Sequence, residues 1–230
     1  MSASPTNYHS PFYRLVIDIE AVANTAINAI GMVCADREGK IVFEKSYYIK
    51  VAQDEIDPLC KERFWDKQPG LLEKFQNSGR SESEIIKEFV NDFDTLHIQL
   101  GVTEKQIKLY SDNPEYDFGR LTPYVKKHCN RDPLRYCLDG SYRSITDWGS
   151  YLFGNGYDQI VKNAVNKLVE HNHEPQNDAK NILYRFLIAE SIQSSIQTLQ
   201  AENQASNSPL MSIVSFISEQ TIEKLKQIKD

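Results

Sequence analysis

Short runs rich in branched and aromatic residues, set apart by polar segments, define the expected strands. Residues 15–20 (LVIDIE), 27–35 (INAIGMVCA) and 40–51 (KIVFEKSYYIKV) come first. The connections between them are too short for a crossover, so the three predict an antiparallel meander. Residues 106–111 (QIKLYS) follow a long helical segment and are expected to pair in parallel. Residues 134–138 (LRYCL) predict a fifth strand. The helical segment opens on Ser81-x-x-Glu84, a capping box, and carries Ile85, Ile86, Phe89, Val90, Phe93 and Leu96 on one face before Gly101 ends it. Pro58 and Pro69 punctuate residues 52–80, which read as two short helices. Asn113-Pro114 marks a turn into a helix over 115–128, and further helices are expected at 143–153, 157–170 and 176–203. Beyond the polar break at 203–209, Leu210, Ile213, Val214, Ile217, Ile222, Leu225 and Ile228 recur at helical spacing.

This order predicts an α/β fold: a mixed five-stranded sheet, three strands antiparallel and then two parallel, flanked by helices. Residues 1–11, polar and holding two prolines, form an N-terminal arm. Residues 12–203 make the main domain, and 204–230 a helical extension. The apolar stripe of that extension can pack on its own chain, pair with a second copy or bind a partner, so a homodimer through helical surfaces stays open.

Composition narrows the partners. A net charge of -6 excludes a broad basic face, so a nucleic acid would have to be held locally. Cys34, Cys60, Cys129 and Cys137 show no Cys-x-x-Cys spacing, which fits a reducing, intracellular setting, cytoplasmic or nuclear. No secretory leader and no run of ~18 apolar residues is present, so no membrane association is expected.

The chemistry is carried by acids. In a strand, positions i and i+2 share a face, so Asp18 and Glu20 project side by side from the first strand. Two such carboxylates repel in a partly dry site, and a hard divalent cation, Mg²⁺ or Mn²⁺, relieves the repulsion. A second segment, Leu109-Tyr-Ser-Asp-Asn-Pro-Glu-Tyr-Asp117, puts Asp117 in the first turn of the next helix. Helix capping is the alternative role there for Asp117 and for Asp112. A third, His173-Glu-Pro-Gln-Asn-Asp178, sets a histidine in a loop and an acid at a helix start, with His171 a competitor two positions earlier.

Asp-x-Glu on the first strand, Tyr-Asp after the fourth and His-x-x-x-x-Asp before a late helix resemble the three motifs of the DEDDh (DnaQ-like) 3′–5′ exonucleases of the ribonuclease-H-like fold. The resemblance spans about residues 13–190. One branch, the phage DexA exonuclease and the mycobacterial exoribonuclease-like proteins, carries an aromatic pair after the third strand that Phe64-Trp65 matches. The resemblance implies two divalent cations held by Asp18, Glu20, Asp117 and Asp178, with His173 as general base. It implies cleavage of single-stranded DNA or RNA from the 3′ end to 5′-mononucleotides. Phe64, Trp65 and Tyr116 would contact bases, with core packing the alternative for the first two. Ala21 stands where many relatives have Thr, so contacts near the terminal nucleotide would differ. The rival reading is a silent binding or scaffold module on the same fold. Such a module would usually lose an acid or the histidine, and all five are present.

Overall fold

In a computed structural model of the chain, residues 13–131, 158–201 and 210–229 are described. Strands β1 (Tyr13–Ala21), β2 (Ile27–Asp36) and β3 (Ile41–Tyr48) form the antiparallel meander. A 3₁₀ turn and two short helices follow, α1 (Pro58–Arg63) and α2 (Leu71–Ser78), and then α3 (Glu82–Gln99). Strand β4 (Ile107–Tyr110) leads into α4 (Pro114–Cys129). Helices α5 (Asp158–Val165), α6 (Pro175–Ala201) and α7 (Leu210–Lys229) complete the described chain.

The sheet of the described residues has four strands in the order β3-β2-β1-β4, with β4 parallel to β1 and Val16 opposite Tyr110. The fifth strand expected at 134–138, the helix expected at 143–153 and the N-terminal arm lie outside the described residues. The helix expected over 157–170 stops at Val165. Asn166 and Val169 instead anchor a loop, both accepting from the Asn181 side-chain amide of α6 at 3.0 and 2.9 Å.

The alternation along β1 assigns its two faces. Leu15, Ile17 and Ile19 pack into one core with α3 and α4 residues such as Ile86, Phe89, Phe118 and Leu121. Val16 joins a second core built from α5, α6 and α7, where Leu183, Ile188, Ile222 and Leu225 lie. The apolar stripe of α7 is thus partly spent on its own chain. On α3 the capping box forms as read: Ser81 N donates to Glu84 Oε2 at 3.2 Å and Glu84 N to Ser81 Oγ at 3.4 Å.

One glycine positions the site. Gly31, in the middle of β2, lies opposite Asp18. A Cβ there would sit 2.0 Å from the carbonyl oxygen of Pro175. The start of α6 therefore rests directly on the sheet, which only Gly permits. The first turn of α6 carries Asp178 to β1.

Candidate active site

Asp18 and Glu20 end the α6-facing row of β1 that begins at Arg14. A shift in register between Glu20 and Ala21 bends the strand's end. β4 stops at Tyr110, Ser111 is fully buried, and its hydroxyl donates to Asp117. Asn113 caps α4 by accepting from Tyr116 N at 3.3 Å, with Pro114 in the first turn. Asp117 is 2% exposed and Asp178 1%. A cavity of ≈ 350 Å³ is lined by Asp18, Glu20, Asp117, Asp178 and His173, and also by Ala21, Phe64, Tyr116, Asp112 and His171.

Among the described residues the electrostatics are those of a site crowded with carboxyls. Burial, and then the charges of Asp117, Glu20 and Asp178, push the Asp18 carboxyl well above its ordinary range. Burial raises Asp117 to about 8 against the opposing hydrogen bond from Ser111, and Glu20 to about 7 against the pull of His173. Asp178 is raised by burial too, although both histidines act in the other direction. Asp18 Oδ2 is buried and has no hydrogen-bond partner among the described residues. Ligand oxygens of Asp18, Glu20 and Asp178 lie within 4.8 Å of one another. An all-oxygen donor set, crowded like charges and an orphaned carboxylate oxygen fit a hard divalent cation.

His173 has φ +61°, a left-handed conformation that is uncommon outside glycine. Its Nδ1 lies 3.3 Å from Glu20 Oε1 and 3.6 Å from Asp178 Oδ2. The hydrogen bond to Glu20 raises its pKa above the ordinary value. Phe64 meets the imidazole edge to face, with centroids 4.6 Å apart.

The aromatic pair divides. Phe64 lines the cavity, but Trp65 is 2% exposed and its indole N–H donates to the Ala21 carbonyl at 3.2 Å. Trp65 is thus packed in the core, the alternative given for it above, where its indole supports the Ala21 backbone. The pair falls at the end of α1, where successive side chains diverge and one of two neighbours turns inward. Tyr116 lines the cavity and carries the Arg120 guanidinium over its ring at 3.6 Å. Arg120 and Arg185 were not singled out from the sequence. Arg185 ion-pairs with Asp112 at 3.1 Å and so ties the second motif to α6. It lies two turns beyond Asp178, a helical spacing that could have flagged it.

These elements define an α/β fold of the ribonuclease-H-like kind, a mixed sheet between helical layers with acids at the end of its central strand. That fold is shared with E. coli exonuclease I. A zinc-bound form of its complex with single-stranded DNA superposes with a TM-score of 0.51 at 12% identity, over 82% of this chain and 42% of that one. The metal-free form of the complex gives 0.50 at 12% identity, over 85% and 42%. The chain thus spans less than half the length of those structures, and the likeness is one of fold. No family model matches the chain, and no curated protein matches it. Among the described residues no helix is long and apolar enough to cross a membrane.

Proposed function

We propose that the protein is a metal-dependent 3′–5′ exonuclease that removes 5′-mononucleotides from the 3′ end of single-stranded DNA or RNA. The observation that carries this reading is the convergence of Asp18, Glu20, Asp117 and Asp178 around a buried, unpartnered carboxylate oxygen, with His173 alongside. The fold likeness to exonuclease I supports it, as does the single-stranded DNA held by exonuclease I in those complexes.

In this reading Asp18, Glu20, Asp117 and Asp178 would together hold Mg²⁺ or Mn²⁺ ions, two by the resemblance. Bound cations would supply Lewis-acid stabilisation of the charge developing on the scissile phosphate and leaving oxygen. With Nδ1 of His173 held by Glu20, Nε2 is the nitrogen free to take a proton from the attacking water. Phe64 restricts the imidazole to that orientation. Phe64 and Tyr116 offer aromatic faces to the terminal bases, contacts worth ~1–3 kcal/mol each. Trp65, by fixing the Ala21 carbonyl, shapes the floor beneath them. The aromatic pair also supports the finer alignment with the DexA-like branch.

Incubation of 5′-labelled single-stranded DNA and RNA with Mn²⁺ tests the proposal. A ladder shortening from the 3′ end, abolished by chelator, is expected. Internal cuts on a substrate with a blocked 3′ end, or no cleavage of either polymer, would refute it.

A further inference from the structure

Two imidazoles converge on one carboxylate oxygen at the rim of the site. His171 Nε2 lies 3.3 Å and His173 Nδ1 3.6 Å from the same atom, Asp178 Oδ2. The two rings stand nearly perpendicular, with centroids 4.7 Å apart. One ligand atom from each of the three residues falls within a 4.8 Å set. A tetrahedral ion with bonds of ~2.0–2.1 Å has ligand-to-ligand edges of ~3.3–3.4 Å. The two nitrogen–oxygen distances are already close to that edge. The His171 side chain is 49% exposed, so its ring can swing to complete the geometry.

We infer that His171, His173 and Asp178 form a binding site for a borderline transition metal, Zn²⁺ above all, overlapping the hard-cation site of the carboxylates at Asp178. Two imidazoles and one carboxylate, with a fourth position open to water, are a zinc donor set. Nitrogen donors favour Zn²⁺ over Mg²⁺, just as the oxygen cluster favours Mg²⁺ or Mn²⁺. The two sites share Asp178, so they compete. An ion on Nδ1 of His173 displaces the contact to Glu20 that orients the imidazole, and takes one arm of the carboxylate cluster with it. Zn²⁺ therefore acts as an inhibitor of the proposed hydrolysis. That consequence rests on the proposed function, whereas the binding site does not.

Co²⁺, a coloured substitute for Zn²⁺, reads the site directly in the full chain. Wild type is expected to develop the strong visible absorption of tetrahedral cobalt, bleached by about one equivalent of Zn²⁺ and weakened by Mg²⁺ only at far higher concentration, through the shared Asp178. Asp117→Asn should keep the band. His171→Ala, at an exposed position, should lose it and bind Zn²⁺ more than about 10-fold more weakly, the lower end of what loss of even an outer-shell partner produces. A band retained in His171→Ala, lost in Asp117→Asn, or replaced in wild type by weak six-coordinate absorption would overturn the inference. Absence of nuclease activity would sink the proposed function and leave this readout untouched.

Discussion

The two ends of one face of β1 treat buried charge in opposite ways. At its start, Arg14 is 5% exposed and fully partnered. Its Nε and Nη2 donate to Glu190 Oε2 of α6 at 3.0 and 2.6 Å, and its Nη1 donates to the carbonyls of Asp36 and Arg37. The Tyr110 hydroxyl donates to the other Glu190 oxygen at 2.8 Å. Burial alone would lower Arg14, but Glu190 more than offsets it and the net shift is upward. At the far end of the same face, against the same helix, Asp18 and Glu20 meet Asp178 and Asp117, with His173 Nδ1 3.3 Å from Glu20. One end is a closed network that joins strand to helix. The other crowds carboxyls whose charges raise one another's pKa. The first needs nothing from solution; the second is where the proposed cations would act.

Breaking the open end should have the largest effect. Asp18→Asn is expected to remove turnover in Mg²⁺ or Mn²⁺ altogether, measured by nucleotide release, while far-UV circular dichroism stays unchanged. Retained turnover would exclude Asp18 as an acid that holds the cations. Next in size is His173→Ala, expected to lower kcat by ~10²–10⁴-fold, whereas a loss under about threefold would shift the base to His171.

Breaking the closed end should act on stability instead. Glu190→Ala leaves Arg14 buried and unpaired. Denaturant unfolding should show a loss of about 3 kcal/mol, the lower end of the penalty for stranding a buried charge, because the Glu190 side chain keeps 26% of its exposure. An unchanged midpoint would mean that the network is incidental.

Much of this was legible in the chain. Asp18 and Glu20 sit on a strand whose apolar neighbours fix its burial, Ser81 and Glu84 mark the start of α3, and Asn113-Pro114 marks that of α4. Each is a local pattern with a local cause. What stayed hidden depends on contacts between distant segments. The close approach of Pro175 to Gly31 brings Asp178 to Asp18, yet in the sequence Gly31 is only a small residue in an apolar run. Which of Phe64 and Trp65 turns inward follows from the Ala21 carbonyl, 44 residues away from Trp65. The convergence of His171 on Asp178 crosses a loop that includes the left-handed His173, which no local pattern marks.

The smallest effect is a slope. In the metal-free protein the four carboxyls bind protons more tightly than in the unfolded chain, where Asp and Glu titrate near ~4. The folded state then holds more protons, so stability falls as pH rises. The contribution is complete below about pH 4 and is lost through about 7 for Glu20 and about 8 for Asp117. His173, also raised, adds to the same trend. Thermal melts in chelator across this range should decline, and a flat or rising profile would mean that the acids are not strained.

The most direct test is the melting temperature at pH 8 of wild type and Asp18→Asn, each with chelator and with Mn²⁺. If the acids await cations, Mn²⁺ raises the wild-type midpoint and leaves the variant nearly unmoved. The variant without metal then melts at or above wild type. An equal Mn²⁺ shift in both proteins, or none in wild type, would contradict the account.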